Sequence, residues 1–478
     1  MRPRPRAARL RRAPLAALAF AIAGCSHAGP LQVEAGLAVP EQWAESDPAP
    51  PSIDLTRYWE QLGDPLLTGF VQQALEANLD LAQSAARLEQ ARAQLALARA
   101  GYLPQITGSG GVRRDFGEFT SDDLQFSLGA DASWEADLFG RIGANVAASR
   151  ADFEAAGYSF GDLQRLVAGQ VALATLSARA SAVQLATARD TLRIQDDNLQ
   201  IARWRVQAGL VSSLDVEQAR GQRAQTAATI PLLEGNLTAT ANAISTLIGE
   251  PPGRVLGLLE ATASVPEPPD AVGFAAPAEV LRRRPDVRAA EASLLASTAR
   301  IDLARAQLLP LVQLGGTIGT ASTGVGSLFD LITGGLFAGV NQLLFDGGRT
   351  RAQIESSEAA AQGALAAWRQ TILFALEEVE TAAVDLRNGR ERVAIFAEAL
   401  DAANNSAILA RSQYETGLTD FQTLLVSENQ LLTARNSLVS AEAERASAFV
   451  RLTQALGGGW SPERYPLPEP LPASDRID

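Results

Sequence analysis

The chain of 478 residues has no lysine, one cysteine and one histidine, and aromatic residues make up only 6% of it. Without lysine there is no phosphate-binding P-loop, no Schiff base and no lysine nucleophile. The single thiol, Cys25, excludes an intrachain disulfide. The single imidazole, His27, cannot form a histidine triad or a multi-histidine metal site. Carboxylate pairs such as Glu377-Glu378 read as solvated helix surface. The glycine pairs Gly315-Gly316 and Gly334-Gly335 lack the strand-to-helix setting of a nucleotide fingerprint. Neither an enzyme nor any catalytic residue, cofactor or metal is expected. What is abundant is apolar residues, 47% of the chain, many of them alanine, which favours helices that pack closely.

The first 24 residues read as an export signal. Arg2, Arg4, Arg6, Arg9, Arg11 and Arg12 precede an apolar run from Ala13 to Ala23, which is too short to span a bilayer. The run ends Ile22-Ala23-Gly24-Cys25, which resembles the lipobox of bacterial lipoproteins. That resemblance implies cleavage before Cys25 and acylation of its thiol. The alternative is an ordinary signal-peptidase site with an incidental cysteine. Loss of residues 1–24 removes six arginines and no acids, so the formal charge of −13 becomes −13 − 6 = −19. A chain this acidic is not expected to bind nucleic acid.

The longest periodic stretch runs from Thr350 to Tyr414. Leu365, Ile372, Val379, Leu386, Val393, Leu400, Ala407 and Tyr414 recur every seventh residue, and Trp368, Ala375, Ala382, Phe396, Ala403 and Ala410 follow three places on. This is a coiled-coil seam broken at Gly389. As one helix the stretch would be roughly 100 Å long, and its seam has to pack against other helices. A second seam, Val171, Ala178, Leu185, Leu192, Leu199 and Val206, marks a rod from Ile142 to Gln207. Shorter helices are expected from Ser213 to Ile248 and from Phe421 to Leu456. Ahead of the rods, a helix is expected from Asp64-Pro65 to Ala100 with a break near Asn78.

Between helices the period changes from seven to two. From Leu124 to Leu138 every even position is apolar and every odd one is polar or glycine, which predicts a strand with one oily and one wet face. A glycine-rich strand from Gln105 to Arg113 precedes it as the other arm of a hairpin. A second hairpin is expected from Leu311–Thr320 and Leu336–Phe345, around the loop Ala321–Gly335. Leu309-Pro310 repeats Leu103-Pro104 and Leu344-Phe345 repeats Leu138-Phe139 at a separation of 206, and Gly417-Leu418 repeats Gly209-Leu210 at 208. The chain is a two-fold internal repeat.

Four strands per chain cannot close a barrel, and open edges in lipid leave backbone groups unpaired at several kcal/mol each. The smallest outer-membrane barrels have about eight strands. Two chains would supply eight strands and three would supply twelve.

Several local patterns together resemble the outer-membrane efflux proteins of tripartite pumps, in particular their lipoprotein branch. They are Arg57-Tyr58-Trp59-Glu60 with Asp64-Pro65, Leu79-Asp80-Leu81, the segment Arg283-Arg284-Pro285-Asp286-Val287-Arg288-Ala289-Ala290-Glu291 leading through Ser293-Leu294 to Leu309-Pro310, and Asp346-Gly347-Gly348-Arg349. The resemblance implies a mainly α fold with a membrane β part. In it, a homotrimer forms a twelve-stranded β-barrel in the outer membrane, continued by a long α-helical barrel in the periplasm. The implied partners are a periplasmic adaptor, an inner-membrane transporter and outer-membrane lipid, and the implied task is export of small molecules such as drugs. A type I protein-secretion duct and a non-conducting structural lipoprotein remain alternatives.

The expected layout is a signal peptide (1–24), a lipidated tether (25–55), equatorial and first-repeat helices (56–101), the first hairpin (102–139) and the first long helical pair (140–250). A linker (251–277), second-repeat helices (278–308), the second hairpin (309–346), the second long pair (347–457) and a tail (458–478) complete it. The periplasmic tips would be the turns around Gly209 and Gly417, with Gly209, Gly417, Leu418 and Phe421 meeting the adaptor. In a trimer one acid per chain becomes a ring of three that attracts cations. Asp420 is the first candidate for this gate, with Asp215 and Glu415 behind it. Asp420 is also well placed to cap the last helix.

Overall fold

The computed structural model describes residues 36–44, 54–116, 123–261, 264–269, 272–273 and 275–461. Cys25, His27 and the export segment lie outside the described residues. The chain divides into two compact units, Met1–Ala38 and Val39–Asp478. Of the first, only residues 36–38 are described, with neither helix nor strand; the second holds all the helices and strands of the described residues.

A short 3-10 turn, Leu55–Leu62, leads to helix α1, Pro65–Ala77, whose start is set by Asp64: its carboxylate accepts from the Leu66 and Leu67 amides, and proline follows at the first helical position. Asn78 ends α1 and caps α2, Leu79–Ala100, by accepting from the Asp80 and Leu81 amides, so one side chain makes both the break and the restart. Strands β1, Gln105–Arg114, and β2, Leu124–Ala136, precede the long helix α3, Arg141–Gln207, and α4, Ser213–Leu247. Two short helices, α5 (Arg254–Glu260) and α6 (Pro277–Arg283), lead to α7, Pro285–Ala306. The second repeat continues with β3 (Leu311–Ser322), β4 (Ile332–Asn341), the 68-residue α8 (Arg349–Thr416) and α9 (Phe421–Ala455).

The four strands form one antiparallel sheet in the order β1-β2-β3-β4, which leaves β1 and β4 as its edges. Residues paired across neighbouring strands share a face. The oily face of β2 therefore continues through Ile106 and Val112 on β1, Leu314 and Ile318 on β3, and Leu336 and Val340 on β4. All six of these side chains are exposed in the single chain.

The second hairpin differs from the sequence expectation. β4 runs from Ile332 to Asn341 instead of from Leu336 to Phe345, and β3 extends to Ser322. A short turn at Val325–Ser327 and a hydrogen bond from the Thr320 hydroxyl to the Leu328 carbonyl close the loop early and bring Ile332 opposite Thr320. At the other end the Gln342 amide donates to the Leu308 and Leu343 carbonyls. The chain therefore leaves the sheet before Leu344 and Phe345, which are 92% and 91% exposed. Hydropathy alone cannot set this register, because residues 332–345 are oily or small almost throughout.

The α8 seam faces inward as its spacing requires: Ile372, Val379, Leu386, Ala407 and Tyr414 are buried, together with Ala375, Ala382 and Ala410. Each larger member contributes roughly 1.5–3 kcal/mol by leaving water. Gly389 does not break the seam. It is a buried residue within a continuous helix, and a Cβ built there would lie 3.2 Å from the Cα of Arg445 on α9. At this glycine α8 and α9 approach closely, and a methyl group would push them apart.

Midway along the helices a buried charge cluster ties the repeats together. Arg284, 1% exposed, donates to both carboxylate oxygens of Asp286 at 3.0 and 2.6 Å, to Glu378 on α8 at 2.7 Å, and to the Ala455 carbonyl at the end of α9 at 2.9 Å. Arg165 on α3 joins it, donating to Asp162 and to the Gln454 carbonyl. Burial pushes the Asp286 carboxyl up, but Arg284 outweighs this and holds it below the ordinary range. A second buried pair, Arg179 with Asp64, fixes the start of α1 against α3. Within the stretch read as a loose tether, Trp43 is buried, its indole donating to the Ala275 carbonyl at 2.8 Å.

Candidate functional site

The two helix tips are built alike. In the first repeat the Gly209 amide donates to Val206 O and the Leu210 amide to Arg205 O; in the second, Gly417 donates to Tyr414 O and Leu418 to Gln413 O. Gly209 and Gly417 adopt φ of 69° and 75°, the left-handed conformation in which a side chain is strained and with which helices commonly end. Ser212 and Asp420 then cap the outgoing helices at equivalent positions, accepting from the Leu214 and Thr423 amides.

Asp420 is exposed, and its carboxylate accepts from the Thr423 hydroxyl at 2.6 Å and the Thr423 amide at 2.8 Å. These bonds hold its carboxyl below the usual range, so it is ionised at neutral pH. Asp215 sits in the first turn of α4, half-buried, and its charge acts on Tyr414. Glu415 is exposed in the last turn of α8. Of the expected adaptor contacts, Gly209, Gly417 and Leu418 are on the surface, Leu418 being 80% exposed. Phe421 is not: it is buried with Leu199, Ala219, Ala410, Tyr414 and Leu424, its ring 5.3 Å from that of Tyr414. As the first residue of α9 it turns inward because the α8 seam ends at Tyr414 and leaves an apolar gap there.

One feature of the tips was missed in the sequence. Arg205, near the end of α3, donates to the Tyr414 carbonyl at 2.9 Å and lies 4.5 Å over the Tyr414 ring. It bridges the two repeats at the level of the turns. Burial raises the Tyr414 phenol pKa above its ordinary value. The available signal was a difference between repeats, since Arg205 stands where the second repeat has Gln413.

Higher along the tips, Glu428 on α9 is gripped from two helices, accepting from Asn198 on α3 at 2.7 Å and Arg411 on α8 at 2.9 Å. Among the described residues no group of three or more His, Cys, Asp or Glu is arranged to hold a metal ion.

At the opposite end, the wet face of the sheet carries Thr107, Asp131, Glu135, Gln313 and Thr317, while the face with Ile106, Leu128, Trp134, Ile318 and Leu336 is apolar. In a barrel the apolar face meets lipid and the wet face lines the lumen. Glu135 is paired with Arg141 at the start of α3. Asp137 caps the same helix by accepting from the Ile142 and Gly143 amides, so the strand end and the rod are locked together.

The family profile described as "Outer membrane efflux protein" matches residues 70–250 and 276–458. Among known proteins the chain is similar to nodulation protein T of Rhizobium leguminosarum bv. trifolii, 29% identical over 86% of this chain and 89% of that protein. It is likewise similar to the pyoverdine export outer membrane protein OpmQ of Pseudomonas aeruginosa, 29% identical over 93% and 96%. The cation efflux system protein CusC of Escherichia coli is 28% identical over 93% and 97%. Of solved structures, the outer-membrane channel OprN superposes with a TM-score of 0.79 at 30% identity, covering 89% of this chain and 98% of that one. The Campylobacter jejuni channel CmeC shares the fold, with a TM-score of 0.81 at 20% identity over 90% and 94%. The chain belongs to the outer membrane efflux protein family: three copies build a twelve-stranded barrel in the outer membrane, continued by a long helical barrel, as the channel component of an efflux pump.

Proposed function

We propose that this trimer is a passive exit duct for small molecules, closed at its helical tips until a periplasmic adaptor and an inner-membrane transporter engage them. The reading rests above all on the tips, where Arg205 holds the first repeat against Tyr414 of the second while Gly209, Leu210, Gly417 and Leu418 remain on the surface. Such an arrangement is a bracket that a docking partner can reach and release. Relatives named for pyoverdine export and cation efflux differ widely in cargo, which supports a duct that accepts what its transporter delivers. The helical mass would lie in the periplasm. Cys25, outside the described residues, would carry the lipid that fixes the chain to the outer membrane.

Asp420 would supply the acidic ring of the gate, one carboxylate per protomer, alongside its capping role. Asp420→Asn separates the two, because asparagine is as good a cap as aspartate but carries no charge. In planar bilayers the native trimer is expected to give a small, cation-sensitive current, and Asp420→Asn a larger one with that sensitivity lost. An unchanged current in Asp420→Asn would leave Asp420 a cap only and shift the gate to Asp215 or Glu415.

A further inference from the structure

Two large apolar side chains break the pattern of the lumen face among the described strand residues, Leu311 at the first position of β3 and Phe337 in the middle of β4. In the alternation of β4, Phe337 points with Thr333, Gly335, Gly339 and Asn341 to the wet side. It is the one aromatic residue on that side among the described strand residues. Its position across the sheet is specific: Phe337 pairs with Gly315 on β3, and a Cβ built on Gly315 would fall 2.1 Å from the tip of the Phe337 ring. Any side chain at Gly315 would displace the ring. The phenyl group therefore lies flat on the neighbouring strand, one face against the Gly315 backbone, and with 55% exposure it presents an apolar surface to the lumen.

The surroundings define what that surface would attract. Register places Ser133 beside Gly315, and Asp131 and Thr317 one row further from the helices. Glu135 is matched by Arg141 and Arg113 by Asp115, whereas Asp131 has no cationic partner among the described residues. A barrel of twelve strands about 4.8 Å apart and tilted ~40° has a circumference of about 75 Å and a backbone diameter of about 24 Å. Side chains narrow it further, so a drug-sized solute passes within reach of the wall. Three copies would set three aromatic plates and three unmatched carboxylates in that wall.

We propose that Phe337, held flat by Gly315 and accompanied by Asp131, is a cargo-contacting site in the barrel lumen that favours cations with an aromatic or apolar body. The site rests on the channel reading and deepens it. A π face attracts cations and offers stacking area to a flat ring, and the unpaired carboxylate adds long-range attraction for positive charge. It is a transient contact, since a duct must release what it holds.

The test compares two probes of the same charge, benzyltrimethylammonium and tetramethylammonium, with affinities read by saturation-transfer NMR on the full chain as trimers in lipid nanodiscs. The readout needs no open tip, because both probes reach the lumen from the barrel end. A ring on a glycine also shields backbone, so Phe337→Leu is the informative variant: it keeps Gly315 covered and removes the π face. We expect Phe337→Leu to weaken benzyltrimethylammonium by about 3- to 10-fold and tetramethylammonium by a smaller factor, because the latter loses only the cation–π contact and no ring stacking, while Phe337→Trp keeps the native difference between the two probes. Asp131→Asn should weaken both probes alike. Equal benzyltrimethylammonium affinity in native and Phe337→Leu trimers overturns the proposal. The same outcome with ion current through the tip-opened Arg205→Ala trimer leaves the channel reading standing, whereas Arg205→Ala trimers that carry no current sink both.

Discussion

Removing the Arg205 guanidinium should open the channel. In the structure it makes one charge-assisted hydrogen bond, to the Tyr414 carbonyl at 2.9 Å, and one cation–π contact, at 4.5 Å from the Tyr414 ring. A hydrogen bond to a charged group contributes about 1.5–3 kcal/mol, and an exposed cation–π contact about 0.5–1 kcal/mol. Arg205 is half-buried, so the lower ends apply and the bracket amounts to about 2 kcal/mol per protomer. At 1.4 kcal/mol per factor of ten, Arg205→Ala should move each protomer's closed-to-open ratio by roughly 30-fold. In single-channel recordings this would appear as a large rise in open probability with the fully open conductance unchanged. Tyr414→Phe keeps the carbonyl acceptor and a ring, and should behave nearly as the native channel. If Arg205→Ala records the same open probability as native protein, the bracket does not hold the tips shut.

Arg284→Met leaves Asp286 facing Asp162 without its main counter-ion, and breaking a buried pair this way costs about 3–5 kcal/mol; the variant should melt well below the native trimer. Asp286 has a depressed carboxyl pKa in the fold, so its contribution is present above the unfolded value of about 3.9 and lost as pH falls through the folded value. Thermal melts from neutral to acid pH should therefore decline less steeply for Asp286→Asn than for native protein. Gly389→Val forces α8 away from the Arg445 backbone, with an expected loss of about 1–3 kcal/mol, detectable as a lowered denaturation midpoint; an unaltered midpoint would mean the helices separate at no cost. Trp43→Ala should cost about 3–5 kcal/mol of local packing and make the segment before Asp54 a faster target for added protease, while the melting of the helical shaft stays close to native.

Much of the architecture was legible from periodicity, because long seams and a strict alternation leave few ways to hide oily surface. The repeat at 206 and 208 residues showed that two hairpins and two rods follow one plan, and the acid at Asp420 could be placed at a helix start. Short-range chemistry also carried through: Asp64, Asn78 and the two turn glycines act on residues within a few positions of themselves. The expected tether, residues 25–55, is held at Trp43 by the Ala275 carbonyl, 232 residues away, a partner that its local sequence does not indicate.

What the one-dimensional pattern determined, then, is the set of elements and which side of each is oily, since both depend on local geometry and on the periods 3.6 and 2. Tertiary structure decided the rest. The register of β4, the inward turn of Phe421, the close approach at Gly389, the Arg205 bracket and the Phe337 plate on Gly315 each depend on a partner from a distant segment or across a turn. Such pairings are set by how whole helices and strands fit together, and glycine, arginine and phenylalanine each have several possible partners until that fit is made.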